Sequence, residues 1–206
     1  MHDAFSSTVP PVTKSRRSDP FNLPNCLTYG RIVAVPLVVA CLVAEDPWLR
    51  WPALLLFVAA AVSDYLDGYL ARIWELQSSL GRMLDPIADK LLVAACLLAL
   101  ASVGEIAGWS LWAALVILCR EILVSGLREY LAELRVSVPV TRLAKWKTAL
   151  QLLAVGFLVA GPAADRVVSG TSLLGLVLLW LSAILTLYTG WDYFRAGVRH
   201  IVDDPR

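Results

Sequence analysis

Residues 64–89 read DYLDGYLARIWELQSSLGRMLDPIAD. The stretch places four aspartates, Asp64, Asp67, Asp85 and Asp89, between two long apolar runs. An ionised carboxylate in or beside hydrocarbon is costly, so acids in that position mark function by default. Asp64 and Asp67 are three apart and share a helix face, with Gly68 and Ala71 one turn beyond each. Gly81, Asp85 and Asp89 recur every four residues and line one side of a second helix. Each acidic face thus carries small residues beside its acids, which leaves room for a ligand close to the backbone. Two helices that each present two carboxylates repel one another unless cations lie between them. All-oxygen ligation suits a hard ion such as Mg²⁺ or Mn²⁺. Arg72 and Arg82 stand in the same stretch, placed to meet a phosphate. Pro86 removes a helical N–H directly after Asp85, so a kink or a helix start is expected there.

The rest of the chain has the composition of an integral membrane protein. Hydrophobic residues make up 58% of 206, and mean hydropathy is +0.67. A net charge of +1 points to no nucleic-acid partner. Six apolar segments, at roughly 27–44, 51–72, 83–104, 108–131, 143–162 and 171–194, each approach the ~20 residues that cross a bilayer. Asp46-Pro47, Gly81, Gly104 to Gly108, Pro139 and Gly161-Pro162 to Gly170 punctuate them as turns. With the N-terminus inside, only Arg50 and Arg166 of the 18 Lys and Arg fall outside, so positive charge sets the orientation. The expected fold is all-α: a polytopic integral membrane bundle of six transmembrane helices with both termini cytoplasmic. The four acids then converge on its cytoplasmic half. Residues 1–20 read as a disordered cytoplasmic tail with no signal-peptide pattern, 21–196 as the membrane domain and 197–206 as a cytoplasmic C-terminal tail. Trp48, Trp51, Trp109, Trp112, Trp146 and Trp191 lie near span ends, as interfacial aromatics do. Cys26, Cys41, Cys96 and Cys119 lack metal-ligand spacing and read as small buried hydrophobes. His2 and His200, near opposite ends, do not suggest a metal site.

Further polar groups interrupt the apolar runs. Arg31 enters the first segment, and Arg120-Glu121 stands near the middle of the fourth. A buried Arg needs an anionic partner. For Arg120 that is either Glu121 beside it, in a structural pair, or a substrate phosphate gripped by the guanidinium fork. Lys145 and Lys147 begin the fifth segment, followed by Gln151. These lysines either snorkel to the interface or bind phosphate.

The pattern Asp64-x2-Asp67-Gly68-x2-Ala71-Arg72-x8-Gly81-x3-Asp85-x3-Asp89 resembles the signature of the CDP-alcohol phosphotransferase family at every fixed position. The flanking NLPN-x-LT-x2-R-x4-P, from Asn22 to Pro36, with REILVSGLRE and KWKTALQ, is similar to the bacterial members whose acceptor is sn-glycerol 3-phosphate. The resemblance implies transfer of a phosphatidyl group from CDP-diacylglycerol to that acceptor, with release of CMP. It implies two divalent ions, Mg²⁺ or Mn²⁺, held by Asp64, Asp67 and Asp85, with Asp89 as general base and a further contact to metal. Asn25, Thr28, Arg31, Asp67, Gly68, Ala71, Arg72 and Gly81 would bind CDP and its pyrophosphate. Arg120, Lys145 and Arg128, with Arg82, Lys90 and Lys147, are the candidates for the acceptor phosphate. The implied setting is the bacterial inner membrane, with the active site facing the cytoplasm and a homodimer as the assembly. Rival readings within the family use a different acceptor, of the cardiolipin, phosphatidylserine or inositol-phosphate type. A divalent-cation transporter would also place acids in spans, but no repeated halves are visible and Arg120 would repel the cargo. Prenyl-pyrophosphate chemistry would call for DDxxD spacing, which is absent.

Overall fold

The computed structural model describes residues 23–44, 46–73, 79–133 and 142–202. The tail expected over 1–20 lies outside the described residues. Six α-helices run through them: α1 (Leu23–Val43), α2 (Arg50–Ile73), α3 (Ser79–Ser102), α4 (Ser110–Glu133), α5 (Arg142–Asp165) and α6 (Thr171–Val202). No strand occurs among the described residues. Each helix covers one of the six apolar segments, and the differences fall at the ends. α1 already includes Leu23–Cys26, α3 begins at Ser79 and runs through Pro86, and α6 continues past residue 194 to Val202. Four helices contain stretches long and apolar enough to cross a membrane: Asn25–Val43, Ser110–Ala132, Trp146–Asp165 and Thr171–Trp191. The other two, α2 and α3, carry the acids of the 64–89 stretch.

The distribution of polarity is that of a protein solvated by lipid. Large apolar side chains such as Leu55, Leu98, Ile122, Leu123 and Leu173 point outward, at 64–71% exposure. The interior holds Asn25, Thr28, Arg31, Lys147, Gln151, Ser182, Thr186 and Thr189, all buried. In hydrocarbon the outside gains nothing from being polar, and buried polar groups persist where partners or function hold them. The six tryptophans expected at the interfaces are all exposed. Among the cysteines, Cys96 is buried and Cys41 half-buried, but Cys26 and Cys119 are exposed on their helices. The reading of all four as buried hydrophobes therefore fails for those two, because an apolar exterior tolerates a thiol as readily as a core does.

Packing divides the helices into two groups that meet at α5. α1 lies against both α2 and α3; α6 packs along α5 and also against α4; α2 and α3 each reach α5. Val38, Leu42, Phe57, Leu97, Leu100, Val155, Leu158 and Leu179 belong to the shared core. The α5–α6 crossing is close because Gly175 faces Leu158. A methyl group at residue 175 would stand 2.8 Å from the Leu158 side chain and 3.1 Å from its backbone nitrogen. α5 breaks at Gly161, whose φ of 29° and ψ of −117° leave the helical region just before Pro162. That glycine also makes way for Glu105, whose carboxylate would lie 3.3 Å from an added Cβ. Glu105, in the α3–α4 connection, accepts from the Arg50 guanidinium at 3.2 Å. Burial raises the Glu105 carboxyl above its usual pKa, against the pull of Arg50. Pro47–Leu49 forms a short 3-10 turn capped by Asp46, which accepts from the Trp48 amide at 2.9 Å.

Candidate active site

The α1–α2–α3 contact brings the first motif onto the signature. Asn25, Thr28 and Arg31 recur every three residues along α1, and all three are buried. Arg31, 1% exposed, donates from Nη1 to Asp64 Oδ1 on α2 at 2.5 Å. Thr28 donates its hydroxyl to Asp85 Oδ1 on α3 at 2.5 Å. The carboxylates of Asp64 and Asp85 lie near enough to repel each other, as do those of Asp64 and Asp89. Gly81, one turn before Asp85, is buried. One face of α1 thus holds an acid from each neighbouring helix. Asp64, Asp85 and Asp89, which the spacing rule assigned to two helices, therefore also lie near one another in space.

A second cluster adjoins Asp89 from the other side. Asp89 is half-buried, within electrostatic reach of Arg31 and Lys90 as attracting charges and of Asp64 and Glu121 as repelling ones. Lys147 on α5 is 3% exposed and ion-paired with Glu121 on α4, so it does not snorkel. Arg120 reaches back to Glu121 at 3.7 Å and donates to the Thr189 hydroxyl on α6 at 3.2 Å. It packs over Gly190, where an added Cβ would come within 3.0 Å of the Arg120 side chain. Lys90 donates to the Pro86 carbonyl at 3.0 Å, one turn back along α3. A small cavity of about 80 Å³ opens between Asp89, Lys90, Glu121, Thr148 and Gln151.

The sequence-derived candidates therefore fall into three sets. Thr28, Arg31, Asp64, Asp85 and Asp89 converge, and Arg120 and Lys147 gather around Glu121 beside Asp89. Arg128 lies two turns further along α4 and is exposed. For Asp67, Gly68, Ala71, Arg72, Arg82 and Lys145 the helical backbone is placed, but their side chains lie outside the described residues. Glu121, Thr148, Gln151, Thr189 and Gly190 were not among the candidates. A signal for two of them was present: Gln151 lies one helical turn beyond Lys147 and shares its face, and Glu121 adjoins Arg120. Thr189 and Gly190 gave none, because only the α4–α6 packing brings them to Arg120.

Among the described residues, no three acid, thiol or imidazole groups form a ready-made metal cluster. The donor chemistry nonetheless fits a hard divalent ion. Carboxylates on facing helices repel one another, and they already draw the cation of Arg31 and the hydroxyl of Thr28.

Comparison with known proteins agrees with this arrangement. The sequence model for CDP-alcohol phosphatidyltransferase matches residues 21–188. A CDP-diacylglycerol–glycerol-3-phosphate 3-phosphatidyltransferase of Rickettsia bellii is 47% identical over 85% of this chain and 94% of its own. The enzyme of the same name from Cereibacter sphaeroides is 38% identical, over 89% of this chain and 99% of its own. A cardiolipin synthase (CMP-forming) of Oryza sativa is 40% identical over 84% of this chain but only 56% of its own. The matched region takes in all of α1 to α5, and with them every acid and cation that converges on Asp64 and Asp89; this chain belongs to the CDP-alcohol phosphatidyltransferase family.

Proposed function

We propose that the protein transfers the phosphatidyl group of CDP-diacylglycerol to sn-glycerol 3-phosphate, giving phosphatidylglycerol phosphate and CMP. The observation that carries this reading is the near full-length match to bacterial enzymes of that name, which spans the signature acids and the cation-bearing helices alike. The donor brings a pyrophosphate and the acceptor a further phosphate. A polar interior with anionic and cationic halves side by side suits such a pair of substrates.

In this reading all six helices span the membrane, both termini face the cytoplasm, and the site opens to that side of a bacterial inner membrane. The bias of Lys and Arg toward one side supports that orientation. Asp64, Asp67, Asp85 and Asp89 hold two divalent ions, Mg²⁺ or Mn²⁺, which when bound supply positive charge to the pyrophosphate and the departing CMP. Asn25, Thr28, Arg31, Gly68, Ala71, Arg72 and Gly81 bind the CDP moiety. Arg31 already sits on Asp64, so it serves both to orient that carboxylate and to face a phosphate. Asp89 accepts the proton of the acceptor's primary hydroxyl as that oxygen attacks the lipid-side phosphorus. Arg120 and Lys147 bind the acceptor's phosphate, with Lys145, Arg128, Arg82 and Lys90 contributing. The pairing of both Arg120 and Lys147 with Glu121 keeps these cations desolvated and aligned in the absence of an anion. The working unit is a homodimer.

The similarity to a cardiolipin synthase favours one competing acceptor, a phosphatidylglycerol headgroup. Purified protein is to be given CDP-diacylglycerol with glycerol 3-phosphate, phosphatidylglycerol, serine or inositol phosphate in turn, and CMP release followed. Turnover is expected with glycerol 3-phosphate, lost on chelation and restored by Mg²⁺ or Mn²⁺. Release with phosphatidylglycerol alone would move the protein to the cardiolipin branch.

A further inference from the structure

Gln151 is 4% exposed, and its carboxamide oxygen has no hydrogen-bond partner. Buried acceptors are seldom left unmet, since an unpaired one forfeits its hydration with nothing in return. The side chain lines the small cavity that it shares with Asp89, Lys90, Glu121 and Thr148. Its neighbour one turn back, Lys147, is already engaged by Glu121. The open acceptor therefore calls for a donor that comes from outside the protein.

The cavity, about 80 Å³, is small for a nucleotide or an acyl chain and of a size for a three-carbon polyol fragment or a few waters. On the acceptor reading above, on which this inference rests, the attacking hydroxyl lies at Asp89 and the phosphate at the Arg120–Lys147 side. The carbon between them carries the remaining hydroxyl. We propose that Gln151 is a specificity-determining residue that accepts a hydrogen bond from this secondary hydroxyl of the acceptor. The contact selects a vicinal diol over a plain alcohol of the same length and charge. It also fixes the rotation of the three-carbon chain, so that the primary hydroxyl faces Asp89 rather than turning away. A site built to bond a hydroxyl discriminates strongly against the analogue that lacks it, because its own polar group is then buried unmet.

The test compares glycerol 3-phosphate with propane-1,3-diol monophosphate, which keeps the primary hydroxyl and the phosphate but lacks the secondary hydroxyl. CMP release is measured with both on one preparation of wild-type protein, and again on Gln151→Leu and Gln151→Met. Wild type is expected to prefer glycerol 3-phosphate by about ten- to a hundredfold in kcat/KM. In both variants that ratio is expected to fall to within about threefold. A folding defect lowers both rates together and leaves the ratio alone, and the nearly isosteric Met variant covers the case in which Leu is not tolerated. A ratio that stays at its wild-type value in the variants, or a wild type that does not discriminate, overturns the inference while leaving the acceptor assignment in place. No release from wild type with either acceptor overturns the acceptor assignment, and the inference with it.

Discussion

Asp89 differs from the other described signature acids in facing two neighbourhoods. Through Asp64 and Arg31 it belongs to the α1–α2–α3 junction, and through Glu121 and Lys147 to the cluster across α4 and α5. On the proposed reaction, a base must be near the proton that it takes, and that proton belongs to the acceptor proposed to bind at the second cluster. Asp89→Asn removes the acceptor for the proton but keeps size and hydrogen-bonding capacity. It is expected to lower kcat by about 10²–10⁴-fold, with CDP-diacylglycerol binding retained when measured by equilibrium binding. At this scale the sequence was most informative where charge is rare. Each Asp, Arg and Lys inside an apolar run stood out because hydrocarbon makes it expensive. It was least informative about partner choice. Lys147 offered two readings, surface or phosphate, and the structure adds a third feature, its ion pair with Glu121 across 26 residues of sequence. Gln151 carries no charge, so although it shares a helix face with Lys147 its burial cost did not stand out as that of the charged residues did.

The helices themselves were legible because each covers an apolar run of about twenty residues, and glycines, prolines and acids mark most of the gaps. Their pairing was not. When the outward face of a helix is as apolar as its inward face, no stripe in the sequence says which side meets which neighbour. What then sets the contacts is close approach at small residues. Gly175 against Leu158 does this for α5 and α6, and Gly190 against Arg120 does it for α4 and α6. The second contact has a functional cost attached. Gly190→Val would push the Arg120 side chain off α6 without removing its charge. The acceptor KM is expected to rise by about tenfold, with the KM for CDP-diacylglycerol changed far less, and Arg120→Ala is expected to follow the same pattern. Equal rises in both constants would show Arg120 to be a packing residue. The same reasoning explains the helix ends that differ from the apolar runs. Leu23 and Pro24 of α1 and the end of α6 to Val202 lie beyond the membrane-length cores, where hydropathy no longer sets the limit, whereas Asn25 and Cys26 belong to the core of α1.

The molecule as a whole is apolar on its outside as well as in its core, with leucines and isoleucines also facing outward and Arg31, Lys147, Gln151 and several threonines buried among the apolar side chains. The exposed tryptophans, Trp48, Trp51, Trp109, Trp112, Trp146 and Trp191, mark the ends of this apolar girdle. On the proposed reaction, a body so built joins reactants that live in two different solvents. Its girdle keeps it in a micelle or bilayer, where it meets the lipid donor by lateral diffusion within that sheet. The phosphorylated acceptor arrives from water. The two substrates are then counted on different scales, one as a mole fraction of the surface and the other as a molarity. Adding inert detergent at fixed total CDP-diacylglycerol is expected to slow CMP release in proportion to the fall in donor mole fraction while the donor is subsaturating, and to leave the KM for glycerol 3-phosphate where it was. A rate that follows total donor concentration regardless of detergent would mean that the lipid is taken from solution. The outward-facing leucines thus decide the dimension in which one substrate is searched for: a plane for the lipid and a volume for its partner.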